Sequence, residues 1–339
     1  MSSRLNGKYS VILPVRNGGK YVKDCVTSIL AQTYEDFRLE VLDNCSTDGT
    51  LEWITSIDDE RIRIYASDRP LTIGANWARA TTIPKNEFIT LIGHDDILDS
   101  HYLETMDSLI RKHPEATLYQ AHFRYIDSEG SLIRHCRPMD EIQSASEFVA
   151  FILSGIIDTM GTGFMMRSAH YDREGGIPTS YPNLLFADFH LFINLTRLSY
   201  KATSPEECFA FRLHRSTTTL SGDNPYQEAY GLFIDYLEKL KEIDPHIQQI
   251  VTRYAMDFIR QYSKGLVHRL LRTPISKRGG RTVNDFLAQN EEYADRLVPG
   301  NSYRLDRDFS IRLARQIDSN PIFRNLFLAF KRIYSRPIY

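Results

Sequence analysis

Four cysteines in 339 residues, Cys25, Cys45, Cys136 and Cys208, are scattered with no C-x-x-C pair among them. That spacing excludes a zinc ribbon and a small disulfide scaffold, and it fits a reducing compartment. Long hydrophobic runs are missing too. The apolar stretch Tyr9–Val15 is too short for a signal core or a membrane span, so the sequence reads as cytoplasmic without a transmembrane helix. Charge of one sign is absent, because 41 Lys and Arg stand against 43 Asp and Glu for a formal net charge of -2. Such a balance exerts no global pull on nucleic acid, and any anion site must be local. Neither G-x-G-x-x-G nor the lysine of a Walker loop follows the first strand signal, which argues against NAD and P-loop chemistry.

What remains is an ordinary globular composition, 42% hydrophobic and 25% charged, on a chain long enough for one large α/β domain plus an appendage. Residues 9–14 are β-branched and apolar, 20–32 carry helical spacing, 39–42 form a short buried run, and 51–57 read as a helix. A strand over 62–66, a helix over 74–81 and a strand over 88–92 continue the rhythm. This alternation predicts a parallel sheet built from βαβ units. Beyond Asp96 the pattern loosens, with helices over 101–112 and 146–153 and a strand over 116–126. From Pro225 onward helical spacing dominates, broken near 274–280 and 299–301. The expected division is a larger domain over 1–222 and a helical region over 223–339.

Five places carry residues suited to chemistry. The first strand ends in Pro14, Val15, Arg16 and Asn17 before a Gly-Gly pair that opens a helix. Backbone donors and a positive dipole end favour a phosphorylated ligand there, although an ordinary βα turn reads the same way. The second ends in Asp43, a carboxylate at the edge of an open sheet, placed to accept from a base N–H or a ribose hydroxyl; Asp48 suits a cap of the next helix. The fourth strand signal runs into His94, Asp95 and Asp96. Adjacent carboxylates repel unless a cation lies between them and the ligand, and Mg²⁺ or Mn²⁺ shared with diphosphate oxygens meets that need; a solvated, helix-capping turn is the plainer alternative. Asp188 is alone in an apolar helical stretch, where burial would raise its pKa and suit a general base, or where it simply caps the helix. Arg212 and His214 fall on one side of an extended segment, positioned to meet a diphosphate and its metal unless their role is structural.

Taken in order, PVRNGG (14–19), QTYEDFRLEVLDNCSTDGT (32–50), GANWARA (74–80), HDDIL (94–98), FAD (186–188) and FRLHRS (211–216) resemble the family-2 glycosyltransferases with the GT-A fold, over roughly the first two-thirds of the chain. The resemblance implies an α/β fold, a Rossmann-like mixed sheet with flanking helices, followed by a mainly α-helical C-terminal extension. It implies an inverting transfer of a sugar from a nucleotide diphosphate donor, a UDP-sugar before a dTDP- or GDP-sugar, to a hydroxyl of a glycan or lipid-linked acceptor in polysaccharide biosynthesis. Pro14, Val15, Arg16, Asn17 and Asp43 would then hold the nucleotide, with Asn76 and Arg79 beside the diphosphate. Asp95 would face ribose and metal, Asp96 would coordinate Mn²⁺ or Mg²⁺ directly, and His214 would approach the ion. Asp188 would be the base, and Arg212 would stabilise the departing diphosphate. Asn44 stands where the family has a second Asp, Ala187 where it has a Glu before the base, and the paired acids are contiguous. A sugar nucleotidyltransferase would need a G-x-G-x-R loop that PVRNGG does not provide; a decayed nucleotide- or glycan-binding module is opposed by the joint presence of Asp95, Asp96, Asp188 and His214.

The C-terminal third carries no motif, but residues 258–284 contain no acid while Arg260, Lys264, Arg269, Arg272, Lys277, Arg278 and Arg281 supply positive charge. Residues 320–339 interleave Phe323, Phe327, Phe330 and Tyr334 with Arg324, Lys331, Arg332 and Arg336. Such a helix suits the inner face of an anionic membrane, where lipid-linked acceptors reside. Packing on the catalytic domain or in a homo-oligomer is the favoured alternative, because amphipathic helices usually face a core.

Overall fold

The computed structural model describes residues 7–158, 160–214, 223–301 and 304–334. It divides into two compact units, one of residues up to Phe148 together with Ile157–His214, the other of Val149–Ile156 and the chain beyond His214. In the first unit the expected alternation appears as β1 (Tyr9–Val15), α1 (Gly19–Leu30), β2 (Phe37–Asp43), α2 (Thr50–Thr55), β3 (Ile62–Ile64), α3 (Ile73–Ala78) and β4 (Phe88–Leu91). These strands pair in parallel in the order β3-β2-β1-β4. All seven residues of β1 are buried, as the continuous apolar run of a doubly covered strand requires. Pro14 lacks a donor, and it lies past Ile12, the last β1 residue paired with β4.

Beyond β4 come β5 (Ile97–Leu98), α4 (Tyr102–Lys112), β6 (Leu118–Ile126), β7 (Leu132–His135), β8 (Ile142–Gln143) and α5 (Ala145–Ser154), whose residues from Val149 fall in the second unit. The first unit closes with β9 (Phe164–Arg167), α6 (Ser168–Arg173), α7 (Ala187–Leu198) and β10 (Lys201–Arg212). The sheet order is β3-β2-β1-β4-β9-β6-β10-β5, and β9 runs antiparallel to both neighbours. The sheet is therefore mixed, as the GT-A resemblance implies, rather than the parallel sheet that the βαβ rhythm alone suggests. Strand β9 is only four residues long, too short for periodicity to announce it.

The second unit consists of α8 (Asp223–Ile243), α9 (Pro245–Arg272), α10 (Val283–Leu297), α11 (Phe309–Ser319) and α12 (Pro321–Tyr334). Local signals set its boundaries: Asp244 accepts from the His246 and Ile247 amides ahead of Pro245, and Thr282 with Asp285 forms a capping box. Tyr230 stacks on Phe258 and Tyr262 in its core. Among the described residues no helix is long and apolar enough to cross a membrane.

Strand β10 begins with a fully buried amine. Lys201 donates to Gln143 Oε1 at 2.8 Å and Thr203 Oγ1 at 2.7 Å, and burial pushes its pKa down to about 7 from an ordinary 10.5. Between those two values the unfolded chain binds the extra proton, so stability rises with pH across that window by an amount on the order of a few kcal/mol. Lys201→Met should flatten this rise in denaturant melts between pH 7 and pH 10; an unchanged slope would assign it to another group.

Candidate active site

Strand β1 is flanked by β2 on one side and β4 on the other, so the chain order reverses there, and the carboxyl ends of these strands form the crevice where open α/β sheets bind ligands. The loops after β1 and β2 are laced together. Asn17, at φ 52°, donates its amide to Ser46 Oγ and accepts from the Thr47 amide, while Asn44 N donates to Val15 O. Gly18 N donates to Thr50 Oγ1 and Gly19 N to Asp48 Oδ2, so the first amides of α1 serve the protein itself. Asp48 also accepts from the Thr50 amide, and these donors outweigh its partial burial to hold its carboxyl below the ordinary range. Arg16 is left exposed at the strand end.

Asp43 is completely buried. Its Oδ2 accepts from the Ser46 amide at 3.2 Å, whereas Oδ1 has no partner among the described residues. A buried carboxylate oxygen without a donor is costly, and at the end of β2 it is placed to receive one from a ligand. Asn76 and Arg79 support it from behind: Asn76 Nδ2 donates to Leu42 O, and Arg79 donates to Asp43 O, Asn76 Oδ1 and Tyr65 O. Their polar groups clasp the end of β2. Asn44, at the position of the family's second acid, holds the Leu71 backbone through both ends of its amide.

After β4 the two adjacent acids have separate environments. Asp96 is 1% exposed, accepting from Thr162 Oγ1 at 2.6 Å on one oxygen and from Arg212 N at 3.0 Å on the other. Burial, reinforced by the charge of Asp95, pushes its pKa well up. Asp95 remains partly open, with Oδ2 2.5 Å from His214 Nε2. Burial works against its charge, but His214 and His94 hold its pKa below the ordinary range. Arg212 locks this arrangement: Nε donates to Asp95 O at 2.8 Å, the remaining nitrogens reach Asp127 O, Ser128 O and Asp24, and the guanidinium lies 4.7 Å over the Tyr21 ring. Tyr21 also faces His214, with centroids 4.8 Å apart. The Arg212 side chain is only 2% exposed. The sequence reading assigns the direct metal contact to Asp96 and the diphosphate to Arg212, but hydrogen bonds inside the protein already occupy both side chains.

Asp188 lies in the first turn of α7, and burial raises its pKa to about 6 against the opposing pull of nearby amides. The approach to it is strained, since Asn183, Leu184 and Phe186 all have positive φ; each such residue costs about 1–3 kcal/mol. Two consecutive residues join this acid to the others: a Cβ added to Gly161 would lie 3.5 Å from Asp188 Oδ2, and Thr162 donates to Asp96. Thr162, Tyr21 and Asp24 escape the sequence reading because no local pattern marks a residue that acts across the sheet.

A carboxylate and an imidazole suit a hard or borderline divalent ion such as Mn²⁺. Among the described residues no group of three or more His, Cys, Asp or Glu is arranged to hold a metal. Asp95 and His214, hydrogen-bonded to each other here, supply two such donors, so an ion held there would complete its shell with ligand oxygens.

Residues 10–174 match the model of Glycosyl transferase family 2. Just under half of the chain is thus similar to this glycosyltransferase family. Among its relatives are Glycosyltransferase GlyG of Streptococcus pneumoniae serotype 4, 27% identical over 36% of this chain and 41% of that protein, and an uncharacterized glycosyltransferase of Rickettsia felis, 23% identical over 69% and 38%. The matched segments thus span about two fifths of those relatives' own length. Solved structures of S. aureus TarS 1-349 share the fold: one has a TM-score of 0.58 at 15% identity, covering 97% of this chain and 93% of that one. Another, in complex with UDP-GlcNAc, has a TM-score of 0.59 at 13% identity and covers 91% of each. The first unit thus shares a GT-A-like fold with these structures.

Because the Arg212 side chain is buried among carbonyl oxygens, truncating it leaves the carbonyls of Asp95, Asp127 and Ser128 without this donor. Arg212→Ala should lower the unfolding free energy by about 1–3 kcal/mol, measured by denaturant titration. A loss under 1 kcal/mol would show that the guanidinium does not hold the two acids.

Proposed function

We propose that the chain transfers a sugar from a nucleotide diphosphate donor, a UDP-sugar, to a hydroxyl of a glycan or lipid-linked saccharide in polysaccharide assembly. One observation supports this reading: Gly161 approaches Asp188 while the next residue, Thr162, donates to Asp96, the neighbour of the partly open Asp95–His214 pair. The unpartnered Asp43 Oδ1 supplies an acceptor for the nucleoside, and exposed Arg16 supplies positive charge near the phosphates. The shared fold with a protein solved in complex with UDP-GlcNAc supports a uridine nucleotide.

In the inverting mechanism the acceptor oxygen bonds to the anomeric carbon from the face opposite the diphosphate, its proton passes to Asp188, and the sugar–diphosphate bond breaks as the nucleoside diphosphate departs. Asp188 suits that task because a base with a pKa near 6 is deprotonated at neutral pH yet basic enough to share a proton in the transition state. Asp95 and His214 would hold Mn²⁺ or Mg²⁺, which neutralises charge on the leaving diphosphate. Asp96, Thr162 and Arg212 keep Asp95 in place, and Asn76 with Arg79 does the same for Asp43.

Asp188→Asn should reduce transfer about 10²–10⁴-fold while leaving UDP binding unchanged in calorimetry. The same base predicts a pH profile: the carboxyl takes a proton as pH falls through about 6, so transfer should decline below that value and level off above it. Transfer retained by the Asn variant would remove Asp188 from the mechanism. Asp95→Ala should abolish the Mn²⁺-dependent part of UDP binding; affinity independent of both Mn²⁺ and Asp95 would refute the metal assignment.

A further inference from the structure

Helix α12 is seated at its start by charge. Asp318, at the end of α11, is 6% exposed; it accepts from Arg278 Nη1 at 2.6 Å and from the Val283 amide at 2.8 Å, and Arg324 of α12 pairs with it at 3.4 Å. One turn further, Phe327 packs edge-on against His268 of α9 with centroids 5.9 Å apart. This contact face comprises Arg324, Phe327, Leu328 and Lys331, all partly covered.

The opposite face is bare. Ile322 is 68% exposed and Ile333 is 75%, and Phe323, Leu326, Phe330 and Tyr334 are also more than half exposed. At about 100° per residue these six side chains fall within an arc of about 120°, a single stripe along the helix. On α11, Phe309 and Leu313 are exposed as well, beside exposed Arg312 and Arg315. Large apolar side chains gathered on one helix face mark an interaction surface, whereas singly scattered ones do not.

Charge selects the occupant. Arg324 is neutralised by Asp318, but residues 319–334 also contain Lys331 and Arg332 and no acid, and Arg312 and Arg315 of α11 are exposed. A second copy of the stripe would bring like charge against like charge, while an anionic bilayer offers hydrocarbon for the aromatic arc and phosphates for its cationic borders. We infer that α12 lies flat in the surface of a membrane containing anionic lipid, with the stripe from Ile322 to Tyr334 immersed at the headgroup boundary. This goes beyond the transfer reaction, and it places the protein where a lipid-linked acceptor would reside.

The experiment is co-sedimentation of the full chain with vesicles of pure phosphatidylcholine and of phosphatidylcholine mixed with phosphatidylglycerol, at low and high salt, without donor or acceptor. Binding should require phosphatidylglycerol, weaken with salt, and fall at least about tenfold in Leu326→Ser/Phe330→Ser, which replaces exposed side chains only. Ile322→Ser/Ile333→Ser gives an independent pair should the first variant melt early. No binding to anionic vesicles, or equal binding by a well-folded variant, overturns the inference. So does a concentration-dependent dimer in sedimentation velocity that these substitutions dissolve, since the face then belongs to a second copy. Because nothing is turned over, failure here leaves the transferase reading intact, and failure of transfer leaves this surface intact.

Discussion

Two neighbouring carboxylates at the end of a buried strand would repel each other and lose hydration at once, and the site depends on how that conflict is resolved. The solution is to satisfy one acid completely so that the other remains available. Asp96 receives a hydroxyl from Thr162 and an amide from Arg212, while the Arg212 side chain turns back to the Asp95 carbonyl. A buried carboxyl group is tolerated only where hydrogen-bond partners replace water, and these partners come from β10 and from the segment before β9, far apart in sequence. The end of β10 thereby fixes the acids of β4 and delivers His214 to the one left partly open.

The order of elements through β4 was legible because strand and helix periods differ sharply and the strands are buried on both faces. The antiparallel insertion of β9 was not, since four residues carry no readable period and their pairing is decided by neighbours on both sides. Among the site residues, sequence could identify Asp43, Asp95 and Asp188 as acids at strand or helix ends. It could not apportion their work. Whether Asp95 or Asp96 keeps a free oxygen depends on which donors arrive from β10, and whether Arg212 meets a ligand depends on how many of its nitrogens the protein consumes. Asn76 and Arg79 illustrate the same limit. The family resemblance implies that they lie beside the diphosphate, but their hydrogen bonds run inward to the end of β2.

Backbone strain and close contact concentrate around the approach to Asp188. Three residues with side chains adopt positive φ just before α7, and Gly163, at φ 76°, leaves no room for a Cβ, which would approach the Phe209 ring at 3.0 Å. Such conformations persist only where surrounding packing over-determines them. Tyr102 donates to Gly163 O, Gly163 N donates to Leu91 O, and the strained turn hands the chain directly into the buried face of α7.

Gly161 and Thr162 connect these two halves of the argument. On one side of the pair the fit is loose, because a Cβ on Gly161 would meet Asp188 at an ordinary contact distance of 3.5 Å. On the other it is tight, through the 2.6 Å hydrogen bond from Thr162 to a fully buried acid. The unequal fit suits the division of roles proposed above: an acid that organises the site must not move, whereas the proposed base needs space for a substrate hydroxyl. Two consecutive residues thus meet the two acids differently, one hydrogen-bonded to Asp96 and the other only in contact range of Asp188.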